Sequence, residues 1–117
     1  MKLSLSETWD PTQEEFDAFA RLSGDANPIH VDPDFAAATP FGRTVSHGML
    51  IYAKLWSMLT RARPETRHVA QDMMFPAPCF ARETIYLTVT GEAPGSVDLV
   101  AAREDGTNVF TGRADLA

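Results

Sequence analysis

Ser46-His47-Gly48-Met49-Leu50-Ile51-Tyr52-Ala53-Lys54-Leu55-Trp56-Ser57-Met58-Leu59-Thr60 is the longest helical candidate in the chain. Met49, Leu50, Ile51, Tyr52, Ala53, Leu55, Trp56, Met58 and Leu59 leave it almost no polar face, so the helix is expected to be buried on nearly every side. In a chain of 117 residues only a sheet wrapped around the helix can bury it that fully. The flanking sequence supplies such a sheet. Ile85, Leu87 and Val89 alternate with Tyr86, Thr88 and Thr90, the period of a strand. Residues 96–103 and 108–116 read as two more strands, joined at the hairpin signal Asp105-Gly106. Residues 2–6 alternate around Leu3 and Leu5, and 67–75 make a less regular strand that Pro76-Ala77-Pro78 stops. One long helix against about five antiparallel strands predicts an α+β architecture in a single domain over residues 1–117.

A second helix begins near Asp10-Pro11-Thr12-Gln13. Asp10 can cap it with Pro11 in the first turn, and Thr12 with Glu15 offers a competing capping box. Phe16, Phe19 and Ala20 give this helix one apolar face, and Ser23-Gly24 ends it. The segment that follows, Asp25-Ala26-Asn27-Pro28-Ile29-His30-Val31-Asp32, gathers carboxylates, a carboxamide and an imidazole. Gly24 frees the backbone and Pro28 biases Asn27 towards an extended conformation. Asp25, Asn27 and His30 are thus presented on a shaped loop, where acid–base groups are commonly held. Asp and Asn are also ordinary turn and cap residues, and both readings fit this segment. Residues 33–38 make a short helix capped by Asp32, which Thr39-Pro40-Phe41-Gly42 breaks.

The formal charge of -6 argues against general affinity for nucleic acid. Residues 46–72 nevertheless carry four basic against two acidic groups, enough to meet a small anion. Arg61 and Arg63 can equally complement a helix C-terminus. The lone cysteine, Cys79, excludes an internal disulfide and reads as a small buried hydrophobe in a reducing compartment. The first residues lack a long apolar stretch and no apolar run approaches a membrane span, so a cytoplasmic protein without signal peptide or membrane contact is expected.

Phe19-Ala20-Arg21-Leu22-Ser23-Gly24-Asp25-Ala26-Asn27-Pro28-Ile29-His30 leads to Asp32, Phe35-Ala36, Phe41-Gly42 and Ser46-His47-Gly48-Met49-Leu50. This succession resembles the signature of the MaoC-like (R)-specific enoyl-CoA hydratases, the hydratase 2 family, densely over the first half of the chain. The resemblance implies a hotdog fold that pairs as a homodimer or larger assembly, with the substrate along the interface. It also implies hydration of a trans-2-enoyl thioester, with hydroxyl added at C3 and a proton at C2, and no metal or redox cofactor.

The motif's catalytic Asp and His, which share the reacting water, fall on Asp25 and His30. Asn27 matches a water-orienting position and is equally suited to an Asx turn. The family's thioester-holding amide falls on Gly48, where a missing side chain and a helix N-terminus would favour an oxyanion. Ser46 would cap that helix and touch the ligand, whereas His47 reads as structural. Trp56, about two turns beyond Gly48, could line the acyl chain or simply fill the core. Relatives commonly carry Gly-Asp where this chain has Arg82-Glu83, a departure near the ligand entrance.

Other site chemistries fit less well. An EF-hand counted from Asp25 would need glycine and glutamate where His30 and Ala36 stand. His30, His47 and Asp32 have no recognised metal-ligand spacing, and neither a phosphate loop nor a nucleophile elbow occurs. The alternatives to an acyl-CoA hydratase are a dehydratase acting on an acyl-carrier-protein thioester and a non-catalytic acyl-thioester-binding subunit. The fold alone also admits a thioesterase.

Overall fold

A computed structural model describes residues 1–117. In chain order its elements are β1 (Lys2–Trp9), α1 (Gln13–Ser23), α2 (Pro28–Val31), α3 (Pro33–Ala37), α4 (Gly48–Ala62), β2 (His68–Met74), β3 (Ile85–Glu92), β4 (Gly95–Arg103) and β5 (Asn108–Leu116). The five strands form one sheet in the order β1-β3-β4-β5-β2, with every neighbouring pair antiparallel. The alternation legible in residues 85–90 is the pleat itself: Ile85, Leu87 and Val89 are buried against the helix. The sheet curls around α4, which lies against β3, β4 and β5. This is the α+β hotdog arrangement anticipated above.

Burial on all sides of α4 is not what the structure shows. Leu50, Ile51, Leu55, Met58 and Leu59 face the sheet, but Met49 and Trp56 remain 50% and 44% exposed. A single sheet covers only one side of a helix. The uncovered apolar side continues onto Val69 and Met74 of the edge strand β2 and onto Phe75 just beyond it, all largely exposed.

Of the two possible starts for α1, the Thr12–Glu15 capping box wins. Thr12 Oγ1 accepts from the Glu15 N–H, and the Glu15 carboxylate accepts from the Thr12 N–H. Asp10 instead accepts from Thr84 Oγ1. Glu15 also takes hydrogen bonds from Trp9 Nε1 at 3.0 Å and ion-pairs with Lys54 Nζ at 2.7 Å, tying α1 to β1 and α4. Burial pushes its carboxyl up, but Lys54, Trp9 and Thr12 together hold it below the ordinary carboxylate range. Its stabilising effect is therefore complete above that range and lost as pH falls through the lowered value. Gly24 closes α1 in the left-handed region at φ 81°, and its N–H donates to the Ala20 carbonyl.

Arg82 occupies a position where the hydratase resemblance leads one to expect glycine, and its φ of 64° lies in the left-handed region. An L side chain there costs about 1–2 kcal/mol, of which glycine's extra unfolded-state entropy offsets part. Arg82→Gly is accordingly expected to raise stability by about 1 kcal/mol. Thermal unfolding checks this, and a lowered midpoint would count against strain at residue 82.

Candidate active site

The His30 segment after α1 and the strap before α4 meet at one place, and Gln13, the first residue of α1, joins them. Gln13 Nε2 donates to the His30 carbonyl at 2.8 Å, while its Oε1 accepts from Thr44 Oγ1 at 2.7 Å. Alongside, Val45 N–H donates to the Ile29 carbonyl and Ser46 N–H to the Cys79 carbonyl. The strap 44–47 is thus fixed between the His30 segment and the sheet-side turn. Three of its residues, Thr44, Ser46 and His47, are buried polar groups. Nothing in the sequence around Gln13 marks it for this role, because its partners lie 17 and 31 residues away.

The segment read as a loop contains a one-turn helix. Asn27 caps α2, its Oδ1 accepting from the Ile29 N–H at 3.1 Å, with Pro28 in the first turn. Its N–H donates to Asp25 Oδ1 at 3.3 Å. Of the two roles open to Asn27, the structure shows the turn and cap contacts. Asp32 then caps α3, as expected, accepting from the Asp34 and Phe35 N–H groups.

Asp25 and His30 come together. Asp25 Oδ2 stands 3.8 Å from His30 Nε2. That gap is too long for a direct hydrogen bond and short enough for one water to be held by both. His30 Nδ1 lies 2.8 Å from the Val45 carbonyl oxygen. A carbonyl only accepts, so Nδ1 carries a proton and Nε2 is the nitrogen left to face Asp25. Asp25 itself stays open to solvent, with 57% of its side chain exposed.

Beside this pair lies a cavity of about 680 Å³. Its lining includes the polar residues Asp25, Ser46 and His47 beside Gly48, and Phe19, Ile51, Phe75 and Val109 among its apolar walls. Ser46 does not cap α4, contrary to expectation. His47 is the residue at the cap position, no side chain closes the end, and Ser46 Oγ donates to the His47 carbonyl. The first backbone hydrogen bond into α4 is made by the Leu50 N–H to the His47 carbonyl. The Gly48 and Met49 N–H groups are left for a ligand, at the positive end of a 15-residue helix. A Cβ on Gly48 would come within 2.6 Å of the Phe75 ring, so glycine is what lets this aromatic wall pack against the first turn of α4.

Trp56 lies outside the cavity. Its ring sits 6.4 Å from that of His68, on the uncovered side of α4. Eight residues along a helix carry a side chain about 12 Å from Gly48 and roughly 80° around the axis, away from the apolar walls. Phe75 and Val109, which form those walls, come from distant parts of the chain and carried no signal in the sequence. Cys79 also lines the cavity, but burial, and then the nearby Glu83 carboxylate, push its thiol up to about 12. It is packing, not a nucleophile.

Asp25, His30 and His47 each place one potential donor atom within 4.8 Å of the others. The two rings, however, are stacked, with centroids 3.9 Å apart and planes at 25°. Imidazole lone pairs lie in the ring plane, so near-parallel stacked rings do not converge on one ion. Each ring also spends one nitrogen on a backbone carbonyl.

Comparison with known proteins agrees with this fold. Residues 1–109 match the MaoC like domain. The chain is 36% identical over 111 residues to the (R)-specific enoyl-CoA hydratase of Aeromonas caviae, covering 88% of this chain and 77% of that protein. The solved (R)-hydratase from A. caviae involved in PHA biosynthesis superposes with a TM-score of 0.80 at 31% identity, over 97% of this chain and 91% of that one. The unliganded R-hydratase of Pseudomonas aeruginosa gives a TM-score of 0.89 over 99% of this chain and 79% of that one, and at 24% identity it speaks to the fold alone.

Proposed function

We propose that this chain, which belongs to the MaoC-like family of hydratases and dehydratases, reversibly adds water to trans-2-enoyl-CoA to give (R)-3-hydroxyacyl-CoA. The observation that carries the reading is the 3.8 Å separation of Asp25 Oδ2 and His30 Nε2, with Asp25 lining the cavity and His30 stacked on the lining residue His47. The pair holds one water. One member takes its proton as the oxygen bonds to C3. The electron pair of the double bond moves towards the thioester oxygen, where the Gly48 N–H and the helix end stabilise the developing charge. The proton taken from the water is passed within the pair and given to C2, so both groups return to their starting state, and the dehydration direction retraces these steps. The apolar walls accept the acyl chain.

The decisive assay follows loss of the enoyl absorbance of crotonyl-CoA and repeats it with the same acyl group on an acyl carrier protein. Turnover of the CoA thioester is expected. Turnover of the carrier-linked substrate alone would move the reading to a carrier-dependent dehydratase, and no turnover of either would end the hydratase reading.

A homodimer is part of this proposal. Its support is the uncovered apolar surface of Met49, Trp56, Val69 and Met74 beside an edge strand whose outer backbone groups are unpaired. Sedimentation at micromolar concentration is expected to give twice the 12.8 kDa chain mass. A fully active monomer would remove the shared-interface site.

A further inference from the structure

His47 touches both members of the acid–base pair, yet no step above uses it. Its Nε2 lies 2.8 Å from the Asp25 carbonyl oxygen, across 22 residues of chain. Because a carbonyl only accepts, Nε2 carries the proton and donates. The hydrogen bonds of Asp25 otherwise reach only its neighbours Ser23 and Asn27. His47 is therefore what ties this exposed residue to the body of the protein. The same ring stacks on His30 at 3.9 Å and is backed by Phe19 at 4.9 Å, tilted by 58°.

The remaining nitrogen, Nδ1, is buried and has no partner. An unpartnered polar atom in a position only 3% exposed costs stability. Phenylalanine or leucine would fill the space without that cost. The imidazole is thus explained by its Nε2–H and its ring face, not by packing alone.

We infer that His47 is a positioning residue that locks the Asp25 backbone and the His30 ring plane into one unit, keeping Asp25 Oδ2 and His30 Nε2 at the spacing that holds a single water. This rests on the hydratase reading and deepens it. Groups that orient a reacting group are typically worth about 10–100-fold, and a misplacement of about 1 Å can cost about a hundredfold.

Two variants divide the contacts. His47→Gln keeps an N–H within reach of the Asp25 carbonyl and loses the ring. His47→Phe keeps the ring and loses the donor. Both are expected to lower kcat on crotonyl-CoA by about 10–100-fold while KM moves by less than about threefold. In an Asp25→Asn background, His47→Phe is expected to cost less than about twofold more, since the group it positions is gone. Unchanged kcat in folded His47→Phe, or equal losses in both backgrounds, overturns the inference. If His47→Phe does not fold, His47→Gln carries the same comparison. Backbone ¹⁵N relaxation of the substrate-free protein separates this inference from the function it rests on. Residues 25–27, tied to the body by the His47 hydrogen bond, are expected to be ordered in the wild type and to become mobile in His47→Phe. Unchanged order at residues 25–27 in that variant overturns the positioning role even if no hydratase activity is found.

Discussion

Asp25→Asn is expected to lower turnover of crotonyl-CoA by about two to four decades, the range typical of a general acid–base group. The substitution is close to isosteric, and its surroundings spare the fold. The Asn27 N–H donates to Asp25 Oδ1 at 3.3 Å, and an amide oxygen accepts that bond as a carboxylate does. His47 holds the backbone carbonyl of residue 25, which the change leaves in place. With 57% of the side chain exposed, no buried charge is stranded, so stability should move by no more than about 0.5 kcal/mol. The activity loss is thus predicted without a fold defect, read as kcat beside a thermal melt on the same preparation. Near-full activity in a folded Asp25→Asn protein would take Asp25 out of the mechanism.

The parts of this molecule legible in the sequence are those that local chemistry dictates. The period-two alternation of 85–90, the Asp105-Gly106 hairpin and the Thr12–Glu15 box each depend on residues close in sequence, and each is present in the structure. Asp25 and His30 belong to the same class, five residues apart and brought side by side by the single turn of α2. What the sequence could not convey depends on distant partners. The composition of α4 reports hydrophobicity but not what covers it, so its bare Met49–Trp56 side reads as core in the sequence. Distance along the helix admits Trp56 to the acyl chain or to the core, but its direction around the axis decides what it faces. The resemblance gives His47 no acid–base role, and its partners, the Asp25 carbonyl and the His30 ring, lie too far upstream for the local sequence to show them. The apolar walls Phe19, Ile51, Phe75 and Val109 converge from four separate parts of the fold.

His30→Ala is expected to lower hydration by about two to four decades as well, and the Asp25→Asn/His30→Ala double variant to be scarcely worse than either single one. The reason is geometric. Oδ2 and Nε2 stand 3.8 Å apart and address the same water, so losing either partner already disables the unit. Two groups acting on separate steps would instead give losses that multiply. Unlike Asp25, His30 also carries structure. Its Nδ1–H satisfies the Val45 carbonyl at 2.8 Å, and its ring stacks on His47. Removing it should cost about 1–2 kcal/mol of stability, so rates must be expressed per folded molecule. With that correction, single and double variants within about threefold of one another are the expected result, measured as kcat/KM on crotonyl-CoA at one pH. A double variant slower by the product of the two single losses would show that Asp25 and His30 act independently, and the shared water would have to be abandoned.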